Sequence, residues 1–180
     1  MQSENETTAM NATPARKQSL QIFRGKDAPA LDEFGSMNYV LPEDSAAGLG
    51  KLAELGMNDG AELNVLFSAP GFSLTSIWFK PGFTLPIHSH NSDCLYYVIS
   101  GQVIMGNETL SAGDGLFLPA DTWYSYAAGP EGAELLEFRH AEQFDFKARS
   151  GVPKHWEKLA EACLKNRGGW KDAVRPVRVL

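Results

Sequence analysis

Two histidines one residue apart stand near the middle of the chain, in the stretch HSHNSDCLYYVISG that runs from His88 to Gly101. A neutral imidazole nitrogen is a common ligand of divalent transition metals. Side chains at i and i+2 of a β-strand point to the same face, so His88 and His90 would project together into whatever that face encloses. Cys94 follows four residues after the second histidine, where another ligand could lie. The segment therefore predicts half of a metal site within a β-structure.

The elements that must position these side chains are predicted from residues 61–141. Short apolar or alternating runs follow one another there, separated by turns rich in Gly, Pro, Asn and Asp; among them are ELNVLFS, FSLTSIWFK, CLYYVIS, GLFLPA and AELLEFRH. Many short strands at close spacing are typical of an antiparallel sandwich or barrel. One β-unit is therefore expected, since the pattern has no second copy.

The segments on either side of this unit have a different character. Residues 1–19 are polar and are predicted to be a disordered tail. Residues 20–60 are predicted to be an N-terminal extension that packs on the barrel and contains a short helix near Ser45. In residues 142–180, apolar positions at helical spacing predict an amphipathic helix against the outside of the barrel, ending near Asn166. These positions are Trp156, Leu159, Ala160, Cys163 and Leu164.

Composition excludes several classes of protein. The 180 residues are 43% hydrophobic and 21% charged, with a net charge of −6, which suits a globular core. The basic residues are scattered, so no nucleic-acid partner is expected. Neither a signal peptide nor a membrane-spanning apolar stretch is recognisable, which predicts a cytoplasmic protein with no membrane partner. Two cysteines are too few for a disulfide framework, so both are expected to be thiols.

The spacing around the histidines resembles that of a known family. From Gly82 to Gly101 the chain reads G, five residues, H-x-H, three residues, C, six residues, G; from Gly113 to Tyr124 it reads G, five residues, P, one residue, D, two residues, Y. These segments are similar to the two cupin motifs, G(X)5HXH(X)3–4E(X)6G and G(X)5PXG(X)2H(X)3N. The resemblance implies an all-β cupin jelly-roll barrel, here with an N-terminal extension and a C-terminal α-helix. It also implies a homodimer and a site inside the barrel mouth.

Four positions depart from the cupin pattern. Cys94 stands where the family has its glutamate ligand, and Tyr124 stands where it has its last histidine. Asp121 replaces a glycine, and Ala128 replaces the final asparagine. Two of the four ligands that the resemblance implies are therefore retained.

Three completions of the site are possible. Cys94 and Tyr124 could themselves be ligands, although both would have to ionise below their free pKa values. Alternatively, His140 could be a third imidazole if the strand face that it shares with Glu134, Leu136 and Phe138 is interior. In the third case no metal binds, and His88, His90 and Tyr124 hydrogen-bond an organic ligand.

The cysteine supports a narrower comparison. The stretch HSHNSDCLYYVISG is similar to the first motif of cysteine dioxygenases, in which a cysteine also occupies the glutamate position. That resemblance implies an oxygen-activating iron site and a covalent link between the cysteine and a tyrosine. A swapped arrangement, with Tyr124 near Cys94 and His140 on the metal, would preserve the family's set of groups. Cys94 could equally be a small apolar filler of the core.

These observations predict a metal-binding cupin, an enzyme that acts on a small organic molecule in the barrel pocket. The expected cofactor is a divalent transition metal, with iron favoured and zinc, nickel or manganese as alternatives. His88, His90, Cys94, Tyr124 and His140 are the candidate ligands, and Tyr124 and Cys94 are the candidate catalytic groups. With iron, the activity would be that of a dioxygenase. The competing prediction is a cupin that binds or senses a small molecule without turnover.

Overall fold

The computed structural model describes residues 19–177, so the predicted disordered tail lies almost entirely outside the described residues. In chain order the strands of this part are β1 (Met37–Val40), β2 (Ala61–Ala69), β3 (Phe72–Phe79), β4 (His88–Ser89), β5 (Cys94–Met105), β6 (Glu108–Ser111), β7 (Gly115–Leu118), β8 (Ala127–Arg139) and β9 (Phe144–Ala148). The α-helices are α1 (Leu31–Phe34), α2 (Glu43–Glu54) and α3 (Pro153–Trp170), and two short 3-10 helices cover Gly25–Asp27 and Met57–Gly60.

Two sheets enclose the core. The larger has the strand order β2-β3-β8-β5-β6, with β7 also paired to β5, and its pairings are antiparallel. The smaller has the order β1-β9-β4, in which β9 is parallel to β1 and antiparallel to β4. This architecture confirms the predicted jelly-roll barrel with a C-terminal helix. Two strands of the smaller sheet, β1 and β9, fall outside the range 61–141 that was predicted for the barrel.

The alternation of β5 shows how the sequence separates inside from outside. Cys94, Tyr96 and Val98 are buried, whereas Leu95 and Tyr97 between them are exposed. Successive side chains of a strand point to opposite faces, so a period of two in the sequence gives one apolar face toward the core. The common face of Cys94, Tyr96 and Val98 is therefore the inner one.

The helices close the barrel from outside. The carboxylate of Asp44 accepts hydrogen bonds from the backbone N–H groups of Ser45 (2.9 Å) and Gly151 (2.7 Å), which joins the start of α2 to the chain before α3. In α3 the indole Nε1 of Trp170 donates to the carbonyl oxygen of Pro81 at 3.0 Å. Cys163 is buried, as its place on the apolar stripe of α3 predicts. No helix within residues 19–177 is long and apolar enough to span a bilayer.

Candidate metal centre

The paired histidines lie inside the barrel, on the short strand β4 and the residue that follows it. His88 is 2% exposed and His90 6% exposed, and their ring centroids are 5.0 Å apart. The ring of His88 stacks on Phe146 with centroids at 4.6 Å, and His90 meets Phe144 edge-on at 5.3 Å. The predicted common inward direction of the two imidazoles is confirmed. Two rings of β9 hold them in place.

Backbone carbonyl oxygens fix the orientation of both imidazoles. Nδ1 of His88 lies 2.8 Å from the carbonyl oxygen of Pro86, and Nδ1 of His90 lies 2.6 Å from that of Asp145. A carbonyl oxygen can only accept, so each Nδ1 must carry the proton. In the neutral ring Nε2 then keeps its lone pair, which is the tautomer of a metal-binding histidine whose second nitrogen is anchored by the protein.

The protein keeps both rings neutral. Burial, together with the neighbouring His90 and Arg139, lowers the pKa of His88 to about 3, against the hydrogen bond to Pro86, which raises it. Burial, followed by the positive charge of Arg139, lowers the pKa of His90 to about 4. A neutral imidazole is the form that binds a metal, so no proton has to be displaced from Nε2 at neutral pH.

Tyr124 lies directly against the histidine pair. Backbone hydrogen bonds in both directions, of 3.0 and 2.9 Å, pair it with His88, and its hydroxyl lies 3.0 Å from Nε2 of His90. Because Nε2 carries no proton, the hydroxyl of Tyr124 donates to it. The hydroxyl of Tyr96, 2.9 Å away, can then donate to Tyr124. Burial raises the pKa of both phenols, so each is a protonated donor and not a phenolate.

Cys94 is a buried thiol on the inner face of β5. It is 2% exposed, and burial, together with the negative charge of Glu137, raises its pKa. Within the part of the chain that the structure describes, no three His, Cys, Asp or Glu side chains come close enough to hold a metal ion. Cys94 is therefore not brought into a three-ligand group with His88 and His90.

His140 lies on the opposite side of the sheet from the pair. It follows the last residue of β8 and is exposed, whereas the buried residues of that strand end include Leu135, Glu137 and Arg139. The face that His140 would share with Phe138 is thus the outer one. The swapped arrangement, which needs His140 beside the other imidazoles, is not what the structure shows, because the pleat of β8 directs the odd-numbered side chains inward.

A buried ion pair, which the sequence analysis missed, occupies that inner face of β8. Nε of Arg139 donates to Oε1 of Glu137 at 2.7 Å, and the two residues are 2% and 5% exposed. Burial raises the pKa of Glu137, but Arg139 and His90 outweigh it and hold this pKa below its usual range. Glu137 also keeps Arg139 charged against its burial. The available sequence signal was a Glu-x-Arg spacing of two residues on one strand, which places both side chains on one face.

An open cleft lies next to the ion pair. Its volume is about 330 Å³, and its lining residues are Asn91, Ser92, Asp93, Ala120, His140, Ala141 and Gln143. Nη1 of Arg139 lies 3.5 Å from Oγ of Ser92, one of these residues. Ser92 therefore both lines the cleft and contacts the guanidinium of Arg139.

The donors present fit a transition metal in part. Two anchored imidazoles supply two Nε2 ligands, and soft or borderline divalent metals accept such ligands. Tyr124 could add its hydroxyl oxygen, since it already lies at one of the two nitrogens. The remaining positions would fall to solvent or to a bound organic molecule. The arrangement can thus hold a metal with open coordination positions, enclosed by aromatic walls.

Three solved structures illustrate what this chain is similar to. An RmlC-like cupin from Shewanella frigidimarina is 18% identical, covers 75% of this chain and 97% of its own, and has a TM-score of 0.46. The polyketide cyclase RemF from Streptomyces resistomycificus is 19% identical over 58% of this chain and 84% of its own, with a TM-score of 0.46. KdgF from Halomonas sp. is 24% identical, covers 45% of this chain and 81% of its own, and has a TM-score of 0.40.

At identities of 18–24% and TM-scores of 0.40–0.46, these similarities assign no activity to this chain. Neither a protein-family model nor a curated protein sequence matches the chain. The function must therefore be argued from the site itself.

Proposed function

We propose that this chain is a metal-dependent cupin enzyme that acts on a small organic molecule in the barrel. The observation that carries the proposal is the anchoring of both imidazoles through Nδ1 to the carbonyl oxygens of Pro86 and Asp145. It leaves an Nε2 lone pair on each of two buried imidazoles, whose ring centroids are 5.0 Å apart. Burying two polar side chains destabilises the folded protein unless a ligand or metal interacts with them.

Iron(II) is the metal that we favour, and it would supply oxygen chemistry, as in a dioxygenase; zinc, nickel or manganese would supply Lewis-acid chemistry. The chain's own groups would do the rest. His88 and His90 hold the metal, and the aromatic walls exclude water. Tyr124 orients a ligand through a hydroxyl that is itself held by Tyr96 at 2.9 Å. Cys94 lines the same interior as a neutral thiol.

Metal content is expected to decide this proposal. Protein purified without an affinity tag and incubated with iron(II), zinc or manganese should bind about one equivalent of metal, measured by elemental mass spectrometry after gel filtration. His88→Ala should lose this metal, because a single remaining imidazole cannot hold it. The matched control is His140→Ala, which removes an exposed histidine and should keep the full equivalent. Equal metal content in the two variants would show that the metal does not bind through His88 and would contradict the proposal.

The competing function is a cupin that binds a small molecule without turnover. The observation that favours it is the hydroxyl of Tyr124, which occupies the lone pair of Nε2 of His90 at 3.0 Å. In this case the wild-type protein would take up no metal under the conditions above. The variant Tyr124→Phe distinguishes the two functions further. If the hydroxyl of Tyr124 blocks Nε2 of His90, its removal should raise metal uptake. If the hydroxyl is itself a metal ligand, its removal should lower metal uptake.

We also propose that the chain forms a homodimer through the outer face of the larger sheet. Large apolar side chains lie exposed on neighbouring strands of that face: Phe72 is 40% exposed, Leu95 47%, Tyr97 40% and Phe117 59%. Exposed apolar strips of this kind mark interaction sites on soluble proteins, and a twofold interface uses the same strip on both copies. Light scattering should give twice the chain mass of 19.7 kDa. Phe117→Glu should halve it, whereas a monomeric wild-type protein would overturn the proposal.

A further inference from the structure

The guanidinium of Arg139 is buried with only part of its hydrogen-bonding capacity used. Its side chain is 0% exposed, and Nε donates to Glu137 at 2.7 Å. Nη1 reaches only Oγ of Ser92, at 3.5 Å, and the buried Nη2 has no partner among residues 19–177. A buried donor without an acceptor destabilises a protein, because its hydrogen bond to water is lost and not replaced. The outer edge of this guanidinium therefore requires an acceptor that the surrounding side chains do not supply.

The geometry of the ion pair leaves that edge free for a particular type of group. A carboxylate that satisfies an arginine fully usually makes two parallel hydrogen bonds to it. Glu137 instead contacts Nε through one oxygen, so the two Nη groups remain as a planar fork. The ring of Phe144 lies 4.0 Å from the guanidinium carbon and fixes the plane. The fork is thus rigid, and its spacing matches the two oxygens of a second carboxylate.

The guanidinium of Arg139 lies near the histidine pair and next to one residue of the open cleft. The ring of Phe144 contacts both Arg139, at 4.0 Å from the guanidinium carbon, and His90, at 5.3 Å between ring centroids. Ser92, the contact of Nη1, lines the cleft of about 330 Å³. Ser92 is therefore the residue through which the cleft adjoins the guanidinium.

We propose that Arg139 binds the carboxylate of the small molecule that enters this barrel, which makes small organic acids the ligand class of the site. The proposal rests on the proposed function only in assuming that the barrel holds a small organic molecule. Glu137 acts as a positioning residue: it holds the guanidinium through Nε and balances its charge, so that the fork is presented without a net positive charge in the core.

Acetate is the probe that tests this inference, with acetamide as the uncharged analogue of the same shape. Saturation-transfer NMR on metal-free protein in EDTA measures the binding of both. Acetate should bind to the wild type, and acetamide should bind about tenfold more weakly or not at all, because charge-assisted hydrogen bonds to arginine discriminate by this much or more. Equal binding of acetate and acetamide would overturn the inference.

Two variants sharpen the test. Glu137→Gln leaves Arg139 as an uncompensated cation, so acetate should bind about tenfold more tightly than to the wild type. Glu137→Gln/Arg139→Met removes the fork without leaving a buried carboxylate unpaired, and acetate binding should be lost. Arg149→Ala, which removes an exposed arginine after β9, is the control and should bind acetate as the wild type does. Unchanged affinity across these variants would show that Arg139 is purely structural.

One measurement needs no variant. In protein labelled with nitrogen-15 in arginine, acetate should shift the Nε and Nη resonances of Arg139, and acetamide should not. Because all these experiments use metal-free protein, their outcome is independent of the metal content that tests the proposed function. If acetate binding depends on Arg139 in a protein that takes up no metal, this inference holds and the metal-dependent enzyme is contradicted. If the protein takes up metal but does not bind acetate through Arg139, the proposed function holds and this inference is contradicted.

Discussion

Replacing Arg139 with methionine is expected to lower the free energy of unfolding by about 3–5 kcal/mol at pH 7, because Glu137 would be left buried without its counterion. Glu137 is 5% exposed and its partner lies 2.7 Å away. The protonation of Glu137 limits the loss: neutralising a carboxyl group of ordinary pKa at pH 7 costs about 4 kcal/mol. Urea denaturation followed by tryptophan fluorescence measures the change.

The same argument predicts how the loss depends on pH and on a second substitution. At pH 5 the carboxyl of the variant protonates more easily, so the loss should shrink to about 1 kcal/mol relative to wild type. The double variant Glu137→Gln/Arg139→Met should recover most of the stability, since a buried pair can be replaced by neutral groups at little cost.

Arg175 offers the matched control for this prediction. Its Nη2 pairs with Glu62 at 2.8 Å and its Nη1 with Glu134 at 3.0 Å, but the arginine side chain is 43% exposed and that of Glu62 44%. Solvent screens such a pair, and Arg175→Met should cost no more than about 1 kcal/mol. If Arg139→Met lowers the free energy of unfolding no more than Arg175→Met does, Glu137 must find another partner or contact solvent. The description of Glu137 and Arg139 as a buried ion pair would then be wrong.

The ion pair also marks the limit of what the sequence could predict. On β5 the inner face could be predicted because the cupin motif places Cys94 at a ligand position. On β8 no motif residue marks the inner face, and both faces carry apolar side chains: Leu136 and Phe138 lie on one face, and Ala133 and Leu135 on the other. A strand whose two faces are similarly apolar does not specify its inner face by its own pattern. The alternative that placed His140 inside the barrel is therefore not what the structure shows, and the same ambiguity concealed Glu137 and Arg139.

The anchoring of the histidines shows a second limit. The spacing of two residues was enough to predict that His88 and His90 share a face, because the period of a strand is local. Their tautomer is set by the carbonyl oxygens of Pro86 and Asp145, and the latter lies 55 residues beyond His90 in the chain. Backbone acceptors carry no side-chain signature, and β9, which supplies the second one, was read as part of the C-terminal segment. The metal-binding form of the site is thus a property of the tertiary structure.

The buried imidazoles lead to the second large expected effect: metal-free protein should lose about 3 kcal/mol of stability as the pH falls from 6.5 to 5. In the folded chain the pKa values of His88 and His90 are lowered to about 3 and about 4, from 6.5 for a free imidazole. Below pH 6.5 the unfolded chain therefore takes up two protons that the folded chain does not. The stability from these neutral histidines is fully present above that pH and is lost toward the folded-state values. Urea midpoints at several pH values in EDTA measure the slope.

The chosen window isolates the two histidines from the other buried groups. Glu137 has a lowered pKa, so it begins to remove stability only below the usual range of a carboxyl group, outside this window. Cys94 and Tyr124 have raised pKa values and respond only in the alkaline range. His155, whose pKa is lowered by burial, adds a smaller effect of the same sign.

His90→Gln should remove close to half of the pH-dependent loss, because glutamine does not titrate and one proton fewer is taken up on unfolding. His155→Gln, at the start of α3, should remove only the smaller part of the slope that the lowered pKa of His155 contributes. If the wild type kept its full stability down to pH 5, the two imidazoles would have to be open to solvent. Their enclosure within the barrel, on which the proposed metal site depends, would then be wrong.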